Sequence, residues 1–378
     1  MKSLAKSVVG TTLVLLTMAA CGPSSAELDP KSVVDLKVRP ASGQLLFCPG
    51  DPFLVEVVAK MNDGSTCSSN DATRTCLGQT NTLIDRDQID LGLTSGSFDP
   101  SKELVVIPEG DPFKTAQDGM ELRASILGVG PSAGTRSVVG TASLKPVYDC
   151  RLQASFGGGV ATGPVAAAGP ELSLSATSLS TPFYPDAMLV RLEGPGGSSY
   201  WISPSSDRVL EFIAAGQSGQ AGAPGAAGAA GPAGTDNSAV GACIPGGDGG
   251  PGTDGAAGSN GGDGGVGGTF RVRLDESVAD KLLARLKLLS PGGAAGSAGA
   301  GGAAGPGGPG GAGGPANELC PNTAGKPGKP GNKGADGLAG KPGAAGPAPL
   351  IERLPRASLF ASELKLIESI ESAKAAGK

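Results

Sequence analysis

Short runs in which apolar and polar residues alternate dominate residues 32–150. Four such runs lie at 54–59, 103–107, 121–126 and 138–144. Alternation with a period of two predicts strands with one buried face, and the turn-forming residues between the runs are spaced as in a sandwich. We therefore predict an antiparallel β-sandwich over residues 32–150.

A second β-rich segment is predicted over residues 151–215. Its three candidate strands lie at 171–179, 187–193 and 208–213. The segment contains Trp201, the only tryptophan of the chain, directly after Tyr200. Because an isolated aromatic pair in a β-rich domain more often packs under a loop than binds a ligand, we expect packing.

An insert at 270–292 combines a strand with a short helix. Residues 270–274 alternate as a strand, and Ser277 resembles the start of a capping box. The helix that follows is predicted to carry one apolar face, made by Val278, Leu282, Leu283 and Leu286.

The C-terminal segment, residues 349–378, also has apolar residues at helical spacing: Phe360, Leu364, Ile367 and Ile370. Such a face must be covered in a stable protein. We expect the segment to pack on the protein's own sandwich, and docking to a partner is the alternative.

Glycine recurs at every third position in four blocks that together hold 31 triplets. We name them the first to fourth glycine blocks: 216–236, 246–269, 293–316 and 325–348. The breaks at 237–245 and 317–324 have the length of hairpin turns, and each contains one cysteine, Cys243 or Cys320. Residues 216–269 and 293–348 are therefore predicted to form two Gly-X-Y hairpins.

A glycine at every third residue builds a helix with three residues per turn and one bare edge. Three separate chains of this kind wind into collagen, which depends on proline to preset the backbone. Only 10 of the 62 other triplet positions are proline, and 9 are additional glycine. This composition favours polyglycine II helices that pack within one chain through backbone hydrogen bonds. A collagen-like trimer is the alternative.

The second and fourth blocks carry opposite charge. The second contains Asp248, Asp254 and Asp263, whereas the fourth contains four lysines and one aspartate. Opposite charge favours these blocks as neighbours and disfavours a trimer of identical blocks. The predicted fold class is mainly β: an N-terminal Ig-like β-sandwich, a second β-rich domain that carries an antiparallel polyglycine II helical bundle, and little α-helix.

Two resemblances support this architecture. The triplets and cysteine-bearing turns of residues 216–348 resemble those of glycine-rich polyglycine II proteins, such as snow-flea-type antifreeze proteins and the adhesin tips of phage tail fibres. That resemblance implies a compact glycine-rich scaffold. The Asp-Gly-Ser-Thr sequence at 63–66, after a predicted strand, is similar to bacterial Ig-like surface domains and implies an Ig-like sandwich.

Residues 1–20 have the pattern of a secretory signal peptide. Lys2 and Lys6 precede an apolar run at 8–20, which is too short to cross a bilayer of about 30 Å. The run ends in Met-Ala-Ala-Cys at Cys21, which resembles the bacterial lipobox. The resemblance implies a diacylglycerol anchor on Cys21, followed by a tether over 21–31. In Gram-negative lipoproteins, a residue other than Asp after the lipidated cysteine implies sorting to the outer membrane.

Six further cysteines are disulfide candidates: Cys48, Cys67, Cys76, Cys150, Cys243 and Cys320. An even number in an exported protein predicts three structural disulfides, for which fifteen pairings are possible. Cys67 with Cys76 would close a ten-residue loop, and Cys48 with Cys150 would join the ends of the sandwich. Cys243 with Cys320 would link the two hairpin tips.

The chain has no histidine and only 13 aromatic residues. The lack of histidine excludes Ser-His-Asp triads and His-ligated metals, and so few aromatic residues argue against a carbohydrate-cleaving cleft. The formal net charge of -5 becomes -7 once Lys2 and Lys6 are removed with the signal peptide, which disfavours nucleic acid as a partner. We expect no enzymatic activity, no catalytic residue, no cofactor and no metal site.

Together these features predict a non-enzymatic lipoprotein of the outer membrane, exposed at the cell surface, with a structural or adhesive role for its glycine-rich region. The expected partners are the membrane, through the lipid on Cys21, and an extracellular surface or polymer, with a monomer favoured over a trimer. The alternatives are a collagen-like trimeric surface stalk and a protein that binds ice or a crystal surface through alanine-rich stretches such as 226–233.

Overall fold

The structure is a computed structural model that describes residues 22–99, 102, 104–163, 165–238, 243–316, 318 and 323–375. The fold is mainly β, with three α-helices in this part of the chain. The chain divides into two compact units. The first consists of residues up to Leu46, Pro52–Pro108 and Met120–Leu144, and the second of Phe47–Asp51, Glu109–Gly119 and Lys145 onward.

The strands that come first along the described chain form several small sheets. β2, β4, β9 and β8 follow one another in one sheet, with β5 beside β4, and β11, β10 and β7 form an antiparallel set. β1 pairs with β6. The bounds are β1 (Ser24–Ala26), β2 (Val33–Pro40), β3 (Leu46–Phe47), β4 (Phe53–Met61), β5 (Thr66–Ser68), β6 (Thr82–Ile84), β7 (Ile89–Leu93), β8 (Ser97–Phe98), β9 (Val105–Ile107), β10 (Met120–Ile126) and β11 (Gly140–Pro146).

The alternation that predicted these strands also sets their buried face. In β4, Val55, Val57 and Ala59 are fully buried, whereas Lys60 is exposed. The four strands predicted in this region are confirmed as β4, β9, β10 and β11, with β9 and β11 each beginning two residues later than expected.

The second unit contains two sheets. Five strands follow the order β15-β14-β13-β17-β19, and three follow the order β12-β16-β18. The strand bounds are β12 (Gln153–Gly157), β13 (Glu171–Leu179), β14 (Ala187–Gly194), β15 (Gly197–Ser203), β16 (Leu210–Ala215), β17 (Thr269–Asp275), β18 (Leu286–Leu289) and β19 (Leu350–Leu354). The helices are α1 (Ala279–Leu283), α2 (Arg356–Leu359) and α3 (Leu364–Ala375).

One apolar core joins both sheets of the second unit. Leu174 of β13, Phe212 of β16 and Val272 of β17 are fully buried in it. Trp201 packs against this core with its ring edge-on to Phe212, at 5.5 Å between ring centroids. The packing expected for Trp201 is therefore confirmed.

The helix predicted after Ser277 is shorter than expected. α1 begins at Ala279 without a side-chain cap, because the Ser277 hydroxyl donates to Asp275 Oδ1 at 2.8 Å instead of capping the helix. Leu286 begins β18 rather than continuing the helical face. The capping-box prediction is wrong, because the buried Asp275 carboxylate competes for the hydroxyl.

The C-terminal segment packs within the chain, but on the five-stranded sheet of the second unit rather than on the sandwich predicted over residues 32–150. Phe360, Ile367 and Ile370 are fully buried against residues of the five-stranded sheet, such as Leu189. The expected apolar face of α3 is therefore covered within the chain.

Strands of the second unit run directly into the glycine blocks. β16 leads into the first block and β18 into the third, and these two strands are parallel neighbours. The second block leads into β17 and the fourth into β19, which are also parallel neighbours. The three-stranded sheet therefore supplies paired starting points for the first and third blocks, and the five-stranded sheet receives the paired ends of the second and fourth.

Candidate functional site

Backbone hydrogen bonds with a period of three residues connect the four glycine blocks. Glycine N–H groups of the first block donate to the third, those of the third to the second, and those of the fourth to the third, at N–O distances of 2.8–3.0 Å. The second block donates both to the first and to the fourth. We call this set of bonds the glycine ladder.

The ladder defines which blocks are neighbours. The first and third blocks run parallel, as do the second and fourth, whereas the first and second, the second and third, and the third and fourth run antiparallel. The second and third blocks therefore each contact three others, and the first and fourth each contact two.

The blocks that contact three others contain all of the additional glycines. Five of the nine lie in the second block and four in the third, and neither the first nor the fourth block has any. A helix with more neighbours needs more edges without a side chain. The sequence of each block thus matches its place in the ladder.

Gly301 and Gly302 of the third block show how closely the backbones of neighbouring blocks approach each other. A Cβ on Gly302 would lie within 3.0 Å of the carbonyl oxygen of Ala226 in the first block, and one on Gly301 within the same distance of the Gly334 oxygen in the fourth. Contacts that short are essentially never seen for a real Cβ. Gly301 is the third residue of its triplet, and so is Ala304 in the next triplet. An additional glycine at this third position, which leaves the edge toward the fourth block without a side chain, is therefore needed only at particular triplets.

Acidic side chains of the second block contact the fourth block, but not as simple ion pairs. Asp248, Asp254 and Asp263 each accept a hydrogen bond from a backbone N–H of the fourth block, at 2.6–2.7 Å. Asn260 makes the same contact with the N–H of Leu338 at 2.8 Å. The neighbour relation expected from opposite charge is confirmed, and its immediate contact is a side-chain acceptor on a backbone donor.

Hydroxyl groups of the second block accept hydrogen bonds from backbone N–H groups of the first block. Ser259 Oγ accepts from the Ala223 N–H and Thr253 Oγ1 accepts from the Ala229 N–H, both at 2.7 Å. These N–H groups lie outside the ladder. Polar side chains therefore provide acceptors at the surface of the glycine region, a role that sequence reasoning missed although Asp248, Asp254 and Asn260 recur every six residues.

One long surface of the glycine region, within residues 218–233 and 294–309, has no charged side chain. Hydrogen bonds repeat with a period of three residues and put the second triplet residues of the first block beside the second block, so we place its third triplet residues on the side of the third block; Asp236 is the last of these and lies beyond the uncharged stretch. We call the resulting surface the uncharged face, and all but one of its residues are exposed: Ser218, Ala221, Pro224, Ala227, Ala230, Ala233, Ala294, Ser297, Ala300, Ala303, Pro306 and Pro309.

The second and fourth blocks form a surface of opposite character. Three carboxylates and three lysines alternate there with neutral side chains, and all are exposed. We call it the charged face: Asp248, Pro251, Asp254, Ala257, Asn260, Asp263, Lys326, Lys329, Asn332, Ala335, Leu338 and Lys341. The glycine region therefore presents two chemically different surfaces while its glycine edges are paired internally.

Two disulfides have both cysteines among the described residues: Cys48–Cys150 and Cys67–Cys76. Asp51 lies within 4.8 Å of the Cys48 and Cys150 sulfur atoms, but a disulfide leaves no thiolate to ligate a metal. Cys243 is also disulfide-bonded. Cys320 and the lipidation candidate Cys21 lie outside the described residues, so the tip disulfide and the lipid anchor stay predictions.

No helix among the described residues has the length and apolar character needed to cross a membrane. Comparison with protein-family models, with curated proteins and with solved structures produced no significant match to this chain.

Proposed function

We propose that this protein is a non-enzymatic lipoprotein of the bacterial outer membrane, exposed at the cell surface, whose glycine region has a structural or adhesive role. The observation that carries the proposal is the glycine ladder. It uses the bare glycine edges within one chain and leaves a long surface of small, uncharged side chains facing solvent.

The glycine region is proposed to be a bundle of polyglycine II helices. A hydrogen-bond period of three residues between both parallel and antiparallel neighbours supports this assignment. The pairing of glycine edges inside one chain also favours a monomer over a collagen-like trimer, whose glycines would face sister chains. The antiparallel sheets of the first unit support an Ig-like sandwich in the same way.

The lipid anchor is tested by labelling cells with a radioactive or alkyne-bearing fatty acid. We expect the full chain to incorporate label and to fractionate with the outer membrane, and Cys21→Ser to lose both properties. Cys243→Ser is the matched control, since it removes a cysteine outside the lipobox. Label on the Cys21→Ser chain would contradict the anchor.

The adhesive role is tested by placing charge on the uncharged face. Small uncharged side chains allow close contact with a flat surface, and a buried unpaired ammonium group is costly. We expect cells that display Ala227→Lys/Ala300→Lys to attach to surfaces or to one another less than wild-type cells. Ala257→Lys/Ala335→Lys on the charged face is the matched control, and equal attachment by all three would contradict adhesion through this face.

A second candidate function, binding of ice or another crystal, is favoured by the same uncharged face. It predicts a gap between the freezing and melting temperatures of a solution of the full chain, and Ala227→Lys/Ala300→Lys should abolish that gap. A solution of wild-type protein without such a gap excludes this candidate and leaves the structural or adhesive role unaffected.

A further inference from the structure

The outward face of the sheet formed by β2, β4 and β5 concentrates positive charge in an otherwise acidic protein. Lys37 and Arg39 project from β2, Lys60 projects from β4, and Arg74 follows β5. Together with Asp35, Val58 and Thr66 they line a cleft of about 240 Å³. Four cations and one carboxylate therefore surround a concave surface of the first unit.

A buried carboxylate lies beside this cleft, on the same face of β4 as Val58 and Lys60. The Glu56 side chain is 7% exposed and accepts from Arg39 Nε at 2.9 Å and from the Ser68 hydroxyl at 2.9 Å. Arg74 Nη2 lies 3.8 Å from the other oxygen of the same carboxylate. Because Glu56 is held by several partners, it orients two guanidinium groups that remain one-third or more exposed.

The position of Arg74 is fixed by its own loop. The Cys67–Cys76 disulfide closes the loop that carries it, and Asp71 Oδ2 accepts from Arg74 Nε at 3.0 Å. The donor groups of this arginine are thus placed before any ligand arrives, which lowers the entropic cost of binding.

One lysine of the cleft has no carboxylate opposite it. In the described part of the chain, Lys37 and Lys60 make no ion pair, but Lys60 lies opposite Asp35 in the register, whereas Lys37 lies opposite Val58. With Asp35, Glu56 and Asp71 all counted against the four cations, the site keeps a formal excess of one positive charge. An anionic group of a ligand would supply the missing partner.

We propose that this cleft binds the carboxylate or sulfate groups of an acidic polysaccharide. Guanidinium donors that do not engage Glu56 or Asp71 can donate to such groups together with Lys37, and Thr66 and Asp35 offer hydrogen bonds to sugar hydroxyls. A nucleic acid fits less well, because no aromatic side chain lines the cleft for stacking and the carboxylate of Asp35 would repel closely spaced phosphates. The site lies in the first unit and does not depend on the role proposed for the glycine region.

The test measures binding of the full chain to dextran sulfate, polygalacturonate and neutral dextran by calorimetry at about 0.15 M salt, where remote charges are screened. We expect at least one anionic polymer to bind and neutral dextran not to bind. Lys37→Gln/Lys60→Gln should raise the Kd about tenfold, since two charged contacts are lost. Lys326→Gln/Lys329→Gln in the fourth block changes the net charge equally and should raise it less than twofold.

Three results would overturn the proposal. The first is that neither anionic polymer binds, and the second is that both double variants weaken binding equally. The third is that single-stranded DNA or vesicles of anionic phospholipid bind as tightly as the polysaccharides and depend on the same lysines. Attachment through the uncharged face could still be observed in each case, so the two proposals fail separately.

Discussion

At Gly302 the third block passes the first at a distance that leaves no room for a side chain. Its N–H donates to the Ala256 oxygen of the second block, while its Cα faces the Ala226 oxygen of the first. The Gly334 N–H of the fourth block donates to the Gly302 oxygen at 2.9 Å. Three neighbouring blocks therefore meet at one residue. The identity of this residue matters through the space that it leaves free, rather than through any contact of its own.

Gly302→Ala should destabilise the protein. The added methyl group forces backbone to move in the first block, and overpacking of this kind costs about 1–3 kcal/mol. Gly196→Ala is the matched control, because nothing lies within 4 Å of the Cβ that it would add, and we expect its effect to stay within about 0.5 kcal/mol. Thermal unfolding of both variants checks the prediction, and equal midpoints would contradict it.

The acidic residues of the second block act at the same scale. A triple change of Asp248, Asp254 and Asp263 to Asn keeps an acceptor for the fourth block, whereas the change to Ala removes it. Each exposed hydrogen bond contributes about 0.5–1 kcal/mol, so we expect the alanine variant to lose about 2 kcal/mol and the asparagine variant less than half of that. If both lost the same amount, and only at low salt, charge attraction would be the dominant contribution.

At the scale of elements, Arg285 connects α1 to the start of β18 and thus to the base of the third block. Its guanidinium is nearly buried and donates to the backbone oxygens of Asp186, Ser203 and Ser205 at 2.7–3.2 Å. Asp186 directly precedes β14, Ser203 ends β15, and Ser205 lies in the connection to β16. One side chain therefore joins the connections around the base of the glycine region.

Arg285→Met should cost about 3 kcal/mol, since it leaves buried carbonyl oxygens without a donor. Lys287→Met is the matched control: Lys287 is 55% exposed and pairs only with Glu211 at 2.8 Å, so its loss should cost less than about 1 kcal/mol. Chemical denaturation with one common probe measures both values. A smaller loss for Arg285→Met than for Lys287→Met would contradict this role.

The C-terminal helix is held by an ion pair between Arg191 and Glu363. Glu363, just before α3, accepts from Arg191 at 3.0 Å and from the Tyr200 hydroxyl at 2.6 Å. Burial would raise the pKa of Glu363, but hydrogen bonds from Tyr200, Ser362 and Arg191 outweigh burial and hold the pKa below its ordinary value. Burial and the Glu363 carboxylate raise the pKa of the Tyr200 phenol, which therefore stays a donor.

Because Glu363 holds α3 in place, we expect the helix to open more often in acid, where the Glu363 carboxylate becomes protonated. Because the pKa of Glu363 is lowered on folding, its contribution to stability is complete above the ordinary glutamate pKa of about 4.3 and is lost as the pH falls through the folded value. We expect the protection factors of the α3 amides, which are corrected for the slower intrinsic exchange in acid, to be lower at about pH 3 than at pH 6. Glu363→Gln should already exchange faster at pH 6, by the loss of about 1–3 kcal/mol, and should respond less to acid; an unchanged acid response would contradict the assignment.

At the scale of the whole molecule, the glycine ladder is an extension of the sheets that carry it. The parallel pair β16 and β18 continues as the first and third blocks, and the parallel pair β17 and β19 continues as the second and fourth. Loop closure between blocks far apart in sequence is costly. In the folded chain, strands that lie side by side hold the adjoining ends of the paired blocks together.

We therefore expect the chain to be a monomer in solution. Light scattering of residues 22–378 should give the mass of one chain over a tenfold range of concentration, because the glycine edges are already paired. A mass of three chains, together with a cooperative melt of collagen-type circular dichroism, would contradict the intrachain ladder.

The sequence predicted strands, helices and their buried faces correctly where the apolar pattern is long enough to show its period. Alternation located β4, β10, β13 and β17, and helical spacing located the buried face of α3. It failed for β18 and β19, which have only four and five residues. Leu286 was assigned to a helix because a short apolar run has no period long enough to distinguish the two structures.

The sequence by itself determined the period of the glycine region, the number and length of its blocks, and the charge that brings the second block beside the fourth. Tertiary structure alone decided that the first and third blocks are parallel neighbours and that aspartates serve as acceptors for backbone donors. The physical reason is range. A triplet repeat reports the shape of one helix, whereas the choice of neighbour depends on strands 60 or more residues away in the chain that hold the blocks together at their base.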